Sequence, residues 1–187
     1  ADREDVMACS GNTLWGIPLY SHSSATHDLI VAKEGAFERL LDSLVHCLSA
    51  GMRIELRTVI MQSNIADLPS LAHLIAEHFG FVSQWSIMQL ENIGFARNKF
   101  DALYVDHSQC FEPVSRAIDI ATLFGIPAVL FNMPLCSVPP AYETYVASSI
   151  SDWKRSYPPP CATCTKHEAC SGFFAWHPSS KMKVQPR

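Results

Sequence analysis

The 187-residue sequence has no uninterrupted apolar stretch near the ~20 residues needed to span a bilayer. It starts Ala1-Asp2-Arg3-Glu4-Asp5, without the basic start and apolar core of a secretory signal. Charge is sparse. Asp, Glu, Lys and Arg make up 17% of the chain and the net charge is −4, too little of either sign to gather nucleic acid or an anionic membrane surface. No segment repeats and none is of low complexity. The expectation is a cytoplasmic protein with no nucleic-acid and no membrane partner. At 48% hydrophobic residues the chain is no disordered tail, and its length suffices to bury a core without disulfide staples.

Cysteine is what the sequence has in excess, with seven. Cys9, Cys47 and Cys110 stand alone and read as small buried hydrophobes. Cys136, Cys161, Cys164 and Cys170 are spaced C-x24-C-x2-C-x5-C. The C-x2-C pair has a chelating spacing, and four soft sulfur donors suit zinc or an iron–sulfur cluster. Paired disulfides are the competing reading, disfavoured because they need an oxidising compartment and leave one cysteine over. Spacing does not separate zinc from iron. His167, between Cys164 and Cys170, is a substitute ligand that a four-cysteine site does not need.

Along the chain, residues 13–20 read as a buried strand and 36–48 as an amphipathic helix ended by Gly51. Residues 52–61 alternate as a strand, with Ile54, Leu56, Thr58 and Ile60 on one face and Arg53, Glu55, Arg57 and Val59 on the other. A helix capped by Asp67 runs to Gly80, 81–90 is a strand, a polar loop follows, 111–124 is a helix and 126–132 a last strand. This alternation predicts an α/β fold with a mostly parallel sheet and right-handed crossovers over residues 1–133. From Pro134 the chain turns rich in proline and cysteine. Residues 134–187 read as a metal-organised appendage with one helix at about 143–155.

In parallel α/β sheets, chemistry gathers at the carboxyl ends of the strands. Here those ends carry Ser21 and His27-Asp28, then Gln62-Ser63-Asn64, then Glu91 to Gly94, and finally Asn132 to Cys136. The first cysteine ligand therefore leaves the same end of the sheet as the polar groups. Each has a structural alternative: Glu55 and Arg57 paired with neighbours inside the sheet, His27-Asp28 as a helix-entry cap, Ser21 as a turn residue.

These segments resemble the radical S-adenosylmethionine superfamily, and more closely the His-Xaa-Ser system radical SAM maturases. The resemblance lies in GIPLYS (Gly16 to Ser21), HD (His27-Asp28), GAFERLLDSL (Gly35 to Leu44), IELRTVI (Ile54 to Ile60), LENIGFARN (Leu90 to Asn98), FNMPLC (Phe131 to Cys136), SISDWK (Ser149 to Lys154) and CATCTKHEACSGFF (Cys161 to Phe174). It implies a partial (β/α)6 barrel in which a [4Fe–4S] cluster reduces S-adenosylmethionine to a radical that abstracts hydrogen from a peptide or protein. The substrate implied is a His-Xaa-Ser repeat polypeptide. The four tail cysteines are similar to those that hold an auxiliary [4Fe–4S] cluster in peptide-modifying relatives, with zinc as a possible substitute. The resemblance places Ser21 near the ribose, Arg57 near the cofactor carboxylate or substrate, and Glu91 and Gly94 near the adenine or methionine. The C-x3-C-x2-C triplet that holds the S-adenosylmethionine-cleaving cluster is absent, as is the glycine-rich motif after the second barrel strand. The chain is thus expected to be the C-terminal half of such a barrel plus its tail, inactive alone in S-adenosylmethionine cleavage, with exposed sheet edges that favour association of copies. A non-catalytic zinc-binding interaction module on an α/β domain is the alternative. The catalytic residues are left unknown.

Overall fold

A computed structural model describes residues 13–187. Cys9 lies outside the described residues. Four parallel strands, β1 (Leu14–Pro18), β2 (Arg53–Ile60), β3 (Gln84–Gln89) and β4 (Ala128–Phe131), lie side by side in chain order. Parallel neighbours need crossovers, and helices supply them: α1 (Ser24–Val31), α2 (Ala36–Ser49), α3 (Leu68–His78), the short α4 (Phe100–Leu103) and α5 (Glu112–Leu123). The register pairs Gly16 with Glu55, Glu55 with Gln84 and Trp85 with Ala128. The expected α/β class, a parallel half of a (β/α) barrel, is the one observed.

The alternation in β2 decides which face is covered. Ile54, Leu56, Thr58 and Ile60 are fully buried, and they join Trp85, Ile87 and Leu130 in a core sealed by Leu71, Ala72 and Ile75 of α3 and Val114, Ala117, Ile118 and Ala121 of α5. Thr58 is the one polar residue in the β2 stripe, and it is satisfied: its hydroxyl donates to the Leu19 carbonyl at 2.7 Å and accepts from Trp85 Nε1 at 2.9 Å. One side chain thus ties three strands together. The other sheet face carries Glu55, Arg57, Gln84 and Ser86.

Three elements differ from the sequence reading. Strand β1, expected to be buried, is exposed or half-exposed at every position. Helix α1 was not expected; only His27 of its eight residues is buried, so it has no apolar stripe to find. It ends at Ala32, in the left-handed region at φ 56°, and the chain turns at once into α2. The helix expected at about 143–155 is absent. In its place are 3-10 turns at Pro140–Tyr145 and Asp152–Lys154, with Val146 bridging in parallel to Leu130. Adjacent Pro139 and Pro140 fix the backbone there, and no buried stripe follows to support an α-helix. The polar loop after β3 holds 3-10 turns at Gly94–Lys99 and His107–Gln109 besides α4. Among the described residues no helix is long and apolar enough to cross a membrane.

Candidate metal centre

The tail crosses the carboxyl ends of β3 and β4 and is fastened there by polar contacts. Ser171 Oγ donates to the Met133 carbonyl at 2.9 Å, Asn92 Nδ2 to the Trp176 carbonyl at 3.2 Å, and Lys183 pairs with Asp106 at 2.7 Å. Glu143 takes both Lys166 and Arg187, while Arg187 Nη2 reaches the Val138 carbonyl at 2.8 Å. A two-stranded antiparallel ribbon, β5 (Arg155–Ser156) with β6 (Phe173–Phe174), closes the base of the tail.

Within this frame Cys136, Cys161, Cys164 and Cys170 border one cavity, together with His167 and Lys166. Cys136 comes from the turn Leu135–Ser137 after β4, and the other three from a loop folded on itself every third residue. Cys164 N–H donates to the Cys161 carbonyl at 3.1 Å, His167 N–H to Cys164 at 3.2 Å, and Cys170 N–H to His167 at 3.3 Å. Two backbone N–H groups point at the Cys170 sulfur, from Leu135 at 3.3 Å and Gly172 at 3.4 Å. The second requires Gly172, whose φ is +64° and where a Cβ would stand 2.9 Å from Tyr157 Cε1. Tyr157 completes the loop: its hydroxyl donates to the Cys170 carbonyl at 2.7 Å and its ring packs on His167 at 4.1 Å between centroids.

The thiols influence one another's acidity. Burial pushes Cys161 up, and the nearby Cys136, Cys170 and Cys164 add to the shift; burial and Cys170 do the same for Cys136. Cys164 goes the other way, lowered by backbone N–H groups of Arg187 and Lys166. Clustered thiols with N–H donors already aimed at sulfur form a soft donor set suited to a cationic centre. No three Cys, His, Asp or Glu side chains among the described residues converge tightly enough to hold a single metal ion. Zinc would draw four sulfurs to about 2.3 Å from one point. Four cysteines bordering one cavity suit zinc or an iron–sulfur cluster alike. The remaining described cysteines, Cys47 and Cys110, are half-buried. Cys47 packs beside the sheet core, and Cys110 Sγ donates to the Asp106 carbonyl at 3.4 Å.

The four residues assigned to a cofactor by resemblance come from three segments: the stretch after β1, β2 and the loop after β3. Ser21 is buried and its Oγ accepts from Ser23 N at 3.0 Å, the turn that starts α1. Arg57 lies over Gly16 and grips Glu55 through Nε at 3.0 Å and Nη2 at 2.7 Å. Glu55 also accepts from Ser86 Oγ and, at 3.5 Å, from Gln84. Burial opposes its charge, but these donors outweigh it and hold the carboxyl below the usual range. Glu91 and Gly94 sit beyond β3. Burial raises the Glu91 carboxyl, with Lys154 opposing, while Gly94, at φ +55°, lines an open cavity of about 490 Å³ with Asn92, Arg97 and Trp176.

Asp28 does cap a helix, though not its own. Its carboxylate accepts from Gly35 N at 2.6 Å and Phe37 N at 2.8 Å, closing the start of α2, and these N–H groups lower its pKa. Asp67 makes no side-chain cap bond to α3. His107 is the site residue that sequence reasoning missed. It is buried between Gln89 Oε1, 2.5 Å from Nδ1, and Ser137 Oγ, 2.7 Å from Nε2. Its only local signal is the Asp106-His107 pair in a polar loop.

No protein-family model and no curated protein matches the chain. Among solved structures it is similar to the crystal structure of a domain of pyruvate-formate lyase-activating enzyme from Bacteroides vulgatus ATCC 8482, with a TM-score of 0.50 and 17% identity, covering 68% of this chain and 71% of that one. At that identity the likeness is one of fold, and it agrees with the parallel half barrel read from the strands.

Proposed function

We propose that this chain belongs to the radical S-adenosylmethionine superfamily and serves a peptide- or protein-modifying maturase of the His-Xaa-Ser type. Cys136, Cys161, Cys164 and Cys170 would hold an auxiliary [4Fe–4S] cluster, which supplies electron transfer or a substrate anchor when bound. The observation that carries the reading is that cysteines from two distant segments border one cavity at the carboxyl end of a parallel sheet. The fold likeness to a pyruvate-formate lyase-activating enzyme domain supports it. The sheet face that carries buried Glu55 and half-exposed Arg57, with Glu91 and Gly94 beyond β3, would line the space shared by cofactor and substrate. The C-x3-C-x2-C triplet is not among these 187 residues, so the reading concerns what this chain supplies and leaves S-adenosylmethionine cleavage to a segment that carries it.

The test is anaerobic reconstitution with iron and sulfide, followed by metal analysis, visible absorption and electron paramagnetic resonance. A brown protein with about four irons per chain is expected, and the double variant Cys161→Ala/Cys164→Ala should lose it. A colourless protein holding one zinc with no iron uptake would overturn the cluster and favour a zinc-binding module.

A further inference from the structure

The turn that carries Cys136 is short and contributes twice to the cysteine ring. It supplies the Cys136 sulfur, and its Leu135 N–H donates to the Cys170 sulfur at 3.3 Å. Its own backbone support is two bonds: Ser137 N–H donates to the Pro134 carbonyl at 2.9 Å and Val138 N–H to the Leu135 carbonyl at 3.2 Å. Buried Leu135 and Val138 seat the turn, and a side-chain chain that begins at the end of β3 adds a polar tie to it. Gln89 Nε2 donates to the Val105 carbonyl at 3.2 Å, which turns Oε1 toward His107 Nδ1 at 2.5 Å. Since Oε1 can only accept, Nδ1 carries the proton. Nε2 then has a free lone pair and accepts the Ser137 hydroxyl at 2.7 Å. The Pro134 carbonyl, also 2.7 Å from Ser137 Oγ, keeps its backbone donor when the hydroxyl turns to His107.

Every group in this chain is satisfied with His107 neutral, and burial, which pushes its pKa down to about 4, keeps it so at physiological pH. His107 is 3% exposed and Gln89 5%, so water does not compete for these bonds. We infer that Gln89, His107 and Ser137 form a positioning relay that fixes the Cys136 turn, and through Leu135 the Cys170 sulfur, in the geometry a bound cluster requires. None of the three touches the cysteine cavity's centre as a ligand; each acts through the turn. The inference rests on the cluster reading above for its purpose, but not for its geometry, which is present in the chain without metal.

The test therefore has one arm that needs no metal. In the reduced, metal-free chain, the rate of Cys136 alkylation by iodoacetamide is followed by peptide mass mapping. Ser137→Ala should raise that rate by roughly three- to tenfold, the factor one hydrogen bond carries, while Ser137→Thr, which keeps the hydroxyl, should stay near the native rate. His107→Gln should behave like Ser137→Ala. Thr58→Val, which breaks a buried network in the sheet far from the tail, serves as the comparator and should leave Cys136 unchanged. Equal Cys136 rates in Ser137→Ala and the native chain overturn the relay, whatever metal the protein binds. In the reconstituted protein, Ser137→Ala should release iron to a chelator about tenfold faster or more and shift the resonance signature of the reduced cluster. Native release with native signature in that variant would also overturn it. Failure of the native chain to take up iron would refute the cluster reading alone, since the alkylation arm still decides the relay.

Discussion

Mild acid should destabilise this protein before its carboxylates are protonated. Burial pushes His107 from its ordinary 6.5 down to about 4; Asp106 pulls the other way and His177 adds to the burial. Between those values the unfolded chain binds a proton that the folded chain refuses, so stability falls as pH falls. The contribution is fully present above the ordinary value and shrinks by about 2 kcal/mol at pH 5 and about 3 kcal/mol at pH 4. His177, lowered by burial, adds in the same direction. Asp28, Glu55 and Asp106 have lowered pKa values, so their contributions are lost only at pH below the ordinary carboxylate range. Glu91 is raised and opposes the trend, which is why the comparison needs a variant. Urea unfolding followed by tryptophan fluorescence at pH 7.5 and 5.0, for the native chain and His107→Gln, isolates the share of His107. The native chain should lose about 2 kcal/mol more than the variant over that interval. A difference below about 0.5 kcal/mol would refute a buried neutral histidine at this position.

Thr58→Val removes the acceptor of a fully buried indole N–H and should cost about 1–3 kcal/mol in urea unfolding; a loss within error would mean Trp85 finds another partner. Gly172→Ala meets both a left-handed φ and the Tyr157 ring, so a cost of about 1–2 kcal/mol and faster proteolysis of the tail are expected, and an unchanged cleavage pattern would contradict the crowding. Asp28→Ala strips two N–H groups at the start of α2 of their acceptor and should lower the urea midpoint, whereas an equal midpoint would show that solvent replaces the cap. Incubated anaerobically with S-adenosylmethionine and a reductant, this chain should yield no 5'-deoxyadenosine by chromatography; its appearance would show that S-adenosylmethionine cleavage does not need the missing cysteine triplet here.

How much of this was legible in the sequence depends on whether neighbours in space are also neighbours in the chain. Strand β2 was legible because Ile54, Leu56, Thr58 and Ile60 alternate with polar residues, and a period of two has one physical solution. Helices α2, α3 and α5 were legible through their apolar stripes. Helix α1 was not, since Leu29 and Val31 point outward and His27 alone is buried. The expected helix near 143–155 followed scattered aromatic and apolar residues that the structure spends on short turns after Pro139-Pro140. At the site, C-x2-C announced itself, and the strand ends led to Glu91 and Gly94. The Gln89–His107–Ser137 chain joins residues 18 and 30 positions apart, with no spacing rule to mark it. Glu55 and Arg57 were seen on one face, but their mutual hydrogen bonds, and the Ser86 hydroxyl that completes them, came from register rather than pattern.

The strand order 1-2-3-4 has a bearing on how the molecule is made. Each of β2, β3 and β4 has its predecessor as its partner on one side, so each meets a neighbour that has already left the ribosome. The sheet can grow at one edge in the direction of synthesis, each addition closing a loop of only tens of residues. Cys136 emerges as that growth ends, and the three cysteines it faces arrive last of all. Assembly of the cysteine cluster is thereby deferred until the platform beneath it exists, which keeps the four thiols from meeting before there is a cavity to receive them.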